Sequence, residues 1–204
     1  LPKTAWPPTL MGQVGTPVVA VESGYVEALG WNQYGGWRLG IRSFDHKRYY
    51  YYAHLRKNYP YQSGLEVGSV VQAGDVIGYL GRTGYSRTEN TNNIDDPHLH
   101  FGLELIFDES QKDSNNEIWV SCYELVKFLN LNRCEAVKVE GTKEWKRLYG
   151  IKDPLVPVQP ATPSQAGPAA ESQAEPQTES QAGPRTESQA GPQTDPQAGS
   201  QAES

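Results

Sequence analysis

No apolar run in the 204-residue chain approaches the roughly 20 residues that a membrane-spanning helix requires, which excludes a helical anchor within it. A basic stretch followed by an apolar one is missing as well, so an export signal is expected only upstream of Leu1. Cysteine is scarce. Cys122 and Cys134 are the only two, without a CxxC spacing or a neighbouring histidine, which argues against a cysteine-built metal centre, while an even pair permits a disulfide in an exported protein. The segment between them reads helical, so two free thiols are expected. Lysine and arginine form no cluster, which argues against a nucleic-acid partner. Histidine occurs four times, and none precedes His46. From Leu155 onward there is no aromatic residue, and six acids face one base, Arg185. That stretch carries −5 of the total charge of −6, so residues 1–154 are close to neutral.

The same boundary divides the chain into two regimes. PSQAGPAA, ESQAEPQT, ESQAGPRT, ESQAGPQT and DPQAGSQA follow one another in register from residue 163 to 202. Each unit carries proline and nothing apolar larger than alanine, too little to offset chain entropy, so residues 155–204 are expected to be a disordered spacer or stalk. Residues 1–154 hold all twelve tyrosines and all five tryptophans and suit one domain. Within it, 15–110 reads as short strands broken by glycine. Val18–Glu22 and Tyr25–Leu29 flank Ser23-Gly24, a hairpin signal, and Trp37–Ser43 and Arg48–Leu55 flank Phe44–Lys47. Val70–Val71, Val76–Leu80 and His98–Phe107 add further strands. The expected fold is all-β, an antiparallel sandwich or barrel. From residue 111 to 154 the period changes. Tyr123, Val126 and Leu129, with Cys122 in the same spacing, predict a helix near 121–130 packed on the sheet, and 142–149 reads as a second short helix ending at Gly150.

Three patterns could carry chemistry. In Pro97-His98-Leu99-His100-Phe101-Gly102, a strand puts His98 and His100 on one face, about 6.5–7 Å apart. Such a pair can serve a reaction or merely decorate a surface, and spacing alone leaves both open. In Tyr49-Tyr50-Tyr51-Tyr52-Ala53-His54, alternation groups Tyr50, Tyr52 and His54 on one face. That face could line a peptide groove or form an aromatic ladder. Glycines at 15, 24, 74, 78, 81 and 84 mark turns and close packing.

Taken in order, GTPVVAVESGYV, YYAHL, VVQAGDVIGYLGRTG and PHLHFGL resemble the lysostaphin-type (LytM-like) zinc metallopeptidases of the duplicated hybrid motif fold. The resemblance covers residues 15–106. It implies a sheet that acts on peptidoglycan peptide stems or cross-bridges, outside the cell or at its wall. It also assigns roles: His100 matches a zinc ligand, and His54 and His98 match the residues flanking the reacting centre. Tyr50 and Tyr52 would then line the substrate groove. In a complete member the metal activates water and polarises the scissile carbonyl.

The likeness breaks before residue 15. The family's other two zinc ligands form H-x-x-x-D, and the matching slots fall at Ala5 and Thr9. Residues 1–14 are therefore an atypical or truncated segment. Asp45 and His46, in a turn at the wrong end of their hairpin, do not replace the pair. A complete four-ligand structural site contributes roughly 10–16 kcal/mol, of which one histidine supplies a fraction. Zinc is thus expected in a complete relative and not in this chain, which predicts a crippled or inactive endopeptidase. A non-catalytic peptidoglycan-binding or amidase-activating domain is the alternative. A biotinyl or lipoyl carrier would need a lysine in its hairpin, and none lies between Lys57 and Lys112.

Overall fold

The structure, a computed structural model, describes residues 9–111 and 116–157. Chain contacts group Leu1–Pro157 as one unit and Val158–Ser204 as another. The repeats, the expected disorder and Ala5 lie outside the described residues.

Thirteen short elements follow in order: β1 (Thr9–Met11), β2 (Pro17–Val19), β3 (Gly24–Asn32), β4 (Gly36–Ser43), β5 (Arg48–Ala53), β6 (Val70–Val71), β7 (Val76–Tyr79), β8 (His98–Leu105), a 3-10 turn (Glu109–Gln111), β9 (Ile118–Val120), α1 (Tyr123–Leu131), β10 (Ala136–Lys138) and β11 (Trp145–Arg147). The main sheet is antiparallel, ordered β1-β8-β5-β4-β3-β6, with β9 also on β8. A second, two-stranded sheet pairs β2 with β7. Among the described residues the fold is the expected all-β one, with one α-helix.

Alternation builds the core. On β4, Leu39 and Ile41 are fully buried, and on β5 Tyr50 and Tyr52 share that face with Phe101 and Leu99 of β8. Val18 and Ile77 of the small sheet close the same cluster from the other side. Both tyrosines are tied at their hydroxyls: Tyr52 accepts from Val21 N at 3.0 Å, and Tyr50 donates to Glu22 Oε2 at 2.7 Å. Hydrophobic burial and satisfied polar tips together hold this layer.

Four expectations need correction. Ser23-Gly24 is no hairpin turn, because β2 pairs with β7 while β3 pairs with β4 and β6. Ala20 exchanges backbone hydrogen bonds with Gly74 and Asp75, which commits the β2 end to the small sheet. Residues 142–149 are not helical, since β11 pairs with β10 in a hairpin. Helix α1 forms as predicted, with Val126 and the preceding Cys122 at the core as expected and Leu125 beside them, but Tyr123 is 60% exposed. Tyr50 and Tyr52, expected in a groove, are core residues. Both cysteines are free.

Candidate functional site

β8 carries His98 and His100 on the face opposite Leu99 and Phe101. Its neighbours fix the row: Thr9 stands opposite His100 on one side and Ala53 on the other. His54 follows the last residue of β5 and should share the core face with Tyr50 and Tyr52. It escapes because its φ is +62°, a left-handed turn that breaks the alternation. The ring swings to the opposite face, its centroid 4.8 Å from that of His98 and 5.5 Å from that of His100.

Backbone contacts lock this arrangement. His54 N donates to Gly35 O at 2.8 Å, and His54 Nδ1 lies 2.9 Å from Thr83 O. A carbonyl only accepts, so Nδ1 carries the proton and the Nε2 lone pair is left for the site. His98 Nδ1 sits 2.8 Å from Asp96 O, which fixes the same tautomer. Thr83 is itself held by its hydroxyl, which donates to Leu55 O and accepts from Trp37 N. Gly84 has φ +127°, and a Cβ there would come within 2.3 Å of Tyr34 O and 3.0 Å of His54 Nδ1. Only glycine permits that close approach.

Burial disfavours the charged form of His54 and His100. Burial pushes the His54 imidazole down to about 4, and the neighbouring His100 and His98 add to the effect against the Thr83 carbonyl. His100 is lowered in the same way, by burial first and by His98 second. Aromatic rings line the cluster. Tyr51 meets His100 edge-on at 5.8 Å, Tyr85 stacks on His54 at 6.0 Å, and Trp119 meets Tyr51 at 6.2 Å.

The three histidines singled out in the sequence are therefore together, whereas Tyr50 and Tyr52 face away from them. Tyr51, Tyr85, Thr83 and Trp119 were not singled out. Tyr51 was within reach of strand alternation once His54 was recognised as out of phase, and Thr83 sits in the GRTG stretch. Nothing local marks Trp119. His46 stacks on Tyr25 at 6.4 Å in the distant β4–β5 turn.

His98 and His100 are the metal-capable side chains that β8 places at the cluster. Among the described residues, no group of three or more His, Cys, Asp or Glu is arranged to hold a metal ion. A threonine, Thr9, occupies the register position opposite His100 on β1.

The model of peptidase family M23 matches residues 9–114. The L-Ala--D-Glu endopeptidase of Bacillus subtilis is 38% identical over 94 residues, 46% of this chain and 27% of the relative. Lysostaphin of Staphylococcus simulans is 39% identical over 89 residues, 43% of this chain and 15% of the relative. The chain thus spans about a quarter or less of the length of these curated relatives. The solved catalytic domain of the antimicrobial peptidase lysostaphin from S. simulans is 31% identical, with a TM-score of 0.44 over 60% of this chain and 78% of that one.

Proposed function

The chain belongs to peptidase family M23, and on that premise we propose that residues 9–157 form a domain that engages the peptide part of peptidoglycan, outside the membrane, with little or no hydrolysis of it. The observation that carries the reading is the joint one at β8. Three imidazoles converge on one face while the position opposite His100 is a threonine. The first supports a peptide-directed site, with His54 and His98 holding their Nε2 lone pairs toward a bound peptide and His100 in the surviving metal-ligand position. The second, with alanine at position 5, supports a chain that keeps the groove and lacks the metal donors. The names of the relatives, an L-Ala--D-Glu endopeptidase and lysostaphin, fit a peptide substrate. No helix of the described residues is long and apolar enough to cross a membrane.

Co-sedimentation and turbidity with purified peptidoglycan test this. The chain should pellet with the polymer and leave its turbidity unchanged. A variant with Ala5→His and Thr9→Asp, given zinc, should clear it. Failure to pellet, or clearing by the unaltered chain as fast as by the double variant, contradicts the proposal.

A further inference from the structure

The half-buried and buried arginines of the sheet are satisfied by acids, with one exception. Arg42 is bonded to Glu27 and Glu109, Arg48 to Glu22 and Asp45, and Arg147 to Asp75. Arg38, on β4, has no ion pair among the described residues, and its Nε is buried without a hydrogen-bond partner. A buried guanidinium donor left unpaired is costly, and such a group asks for an explanation, one form of which is a ligand from outside.

Its position says which face it serves. Trp37, Leu39 and Ile41 point to the core, so Arg38 lies on the side of the sheet that carries His100 and Tyr51. Leu39 stands opposite Tyr52, and one step further the register sets Arg38 abreast of Ala53, which is itself opposite His100. Two strand spacings then separate Arg38 from His100, about 9.5 Å, or about three residues of an extended peptide.

A second donor stands on the same face. The Tyr49 phenol lies over Gly40, where a Cβ would collide with the hydroxyl. Burial raises the Tyr49 phenol, and the strongest opposing influence is the positive charge of Arg38, ahead of Arg42, while Glu104 and Glu117 act the other way from the β8 side. Across the strand from Arg38 is Gly30, where a Cβ would meet nothing within 4 Å. Gly30 thus leaves room beside Arg38 on the β3 side, whereas the two acids lie on the β8 side. Tyr61 pins this opening from the other side, its hydroxyl donating to Arg38 O at 2.7 Å and accepting from Gly30 N at 2.8 Å.

We infer that Arg38 and the Tyr49 hydroxyl form a carboxylate-binding subsite, so that the peptide engaged by the histidine groove is acidic, with a free carboxylate about three residues from the cluster. The inference rests on the peptide-binding reading above and narrows its substrate class. An arginine fork suits this because it grips a carboxylate by two parallel bonds, and a phenol adds a third donor.

The test titrates the labelled full chain, by nuclear magnetic resonance, with two synthetic peptides. One is L-Ala-γ-D-Glu-L-Lys-D-Ala amide with the glutamate α-carboxylate free, and the other has that carboxylate amidated. The acid form should bind roughly 10-fold more tightly. Arg38→Gln should erase the preference and Tyr49→Phe should reduce it about 3-fold, each chiefly by weakening the acid form. Equal binding of both peptides to the unaltered chain overturns the inference, as does a preference surviving in folded Arg38→Gln. If that variant does not fold, an unchanged preference in Tyr49→Phe overturns it. Binding of neither peptide by a chain that still pellets with peptidoglycan overturns the subsite alone. Binding of neither by a chain that does not pellet overturns the functional reading with it.

Discussion

At the residue scale, the site depends on one backbone angle and on burial. The φ of +62° at His54 brings its ring to His98 and His100, and the surrounding carbonyls fix the tautomers. Burial of a neutral imidazole has a consequence for stability. The folded His54 holds its proton only below about 4, whereas an unfolded histidine titrates near 6.5. Between those values the unfolded chain binds more protons, so stability is full above about pH 6.5 and falls as the pH drops toward 4. At pH 5 the loss is on the order of 2 kcal/mol. Urea unfolding at pH 7 and pH 5 measures it, and His54→Gln should show a clearly smaller pH dependence. An equal dependence in that variant would mean that His54 is not the buried neutral group described. Alternation in Tyr49–His54 made the histidine visible in the sequence but put it on the wrong face. A left-handed residue at a strand end leaves no mark in the pattern when it is not glycine.

At the scale of elements, the strands were readable and their partners only partly so. Arg48–Leu55 and His98–Phe107 were expected, and β5 and β8 occupy nearly those spans. Their apolar residues alternate, and period is a local property. The β2–β7 pairing is not local. Ser23-Gly24 offered a hairpin, and contacts between distant segments outweighed it. The same holds for 142–149, where pairing with β10 overrides a weak helical reading. The tyrosine strand gives the sharpest test of which face is which. Tyr52 is 1% exposed in the core, so Tyr52→Ala should cost about 3–5 kcal/mol. Tyr51 is half-buried on the histidine side, and Tyr51→Ala should cost roughly 1–2 kcal/mol. Thermal unfolding of the two variants checks the order, and the reverse order would contradict the assignment of faces.

At the scale of the molecule, four ordered motifs identified the family from sequence, and the matched span, residues 9–114, agrees with them. The convergence of His54, His98 and His100 could only be expected from the resemblance, because strand order decides it. The structure adds that position 9 lies directly across from His100. The account therefore turns on metal. On the proposed function, His100 alone would supply a fraction of the roughly 10–16 kcal/mol that complete structural zinc sites contribute. Elemental analysis of the purified chain, loaded with zinc and then dialysed, is the direct measurement. The account predicts far less than one zinc per chain, and a stoichiometry near one would contradict it.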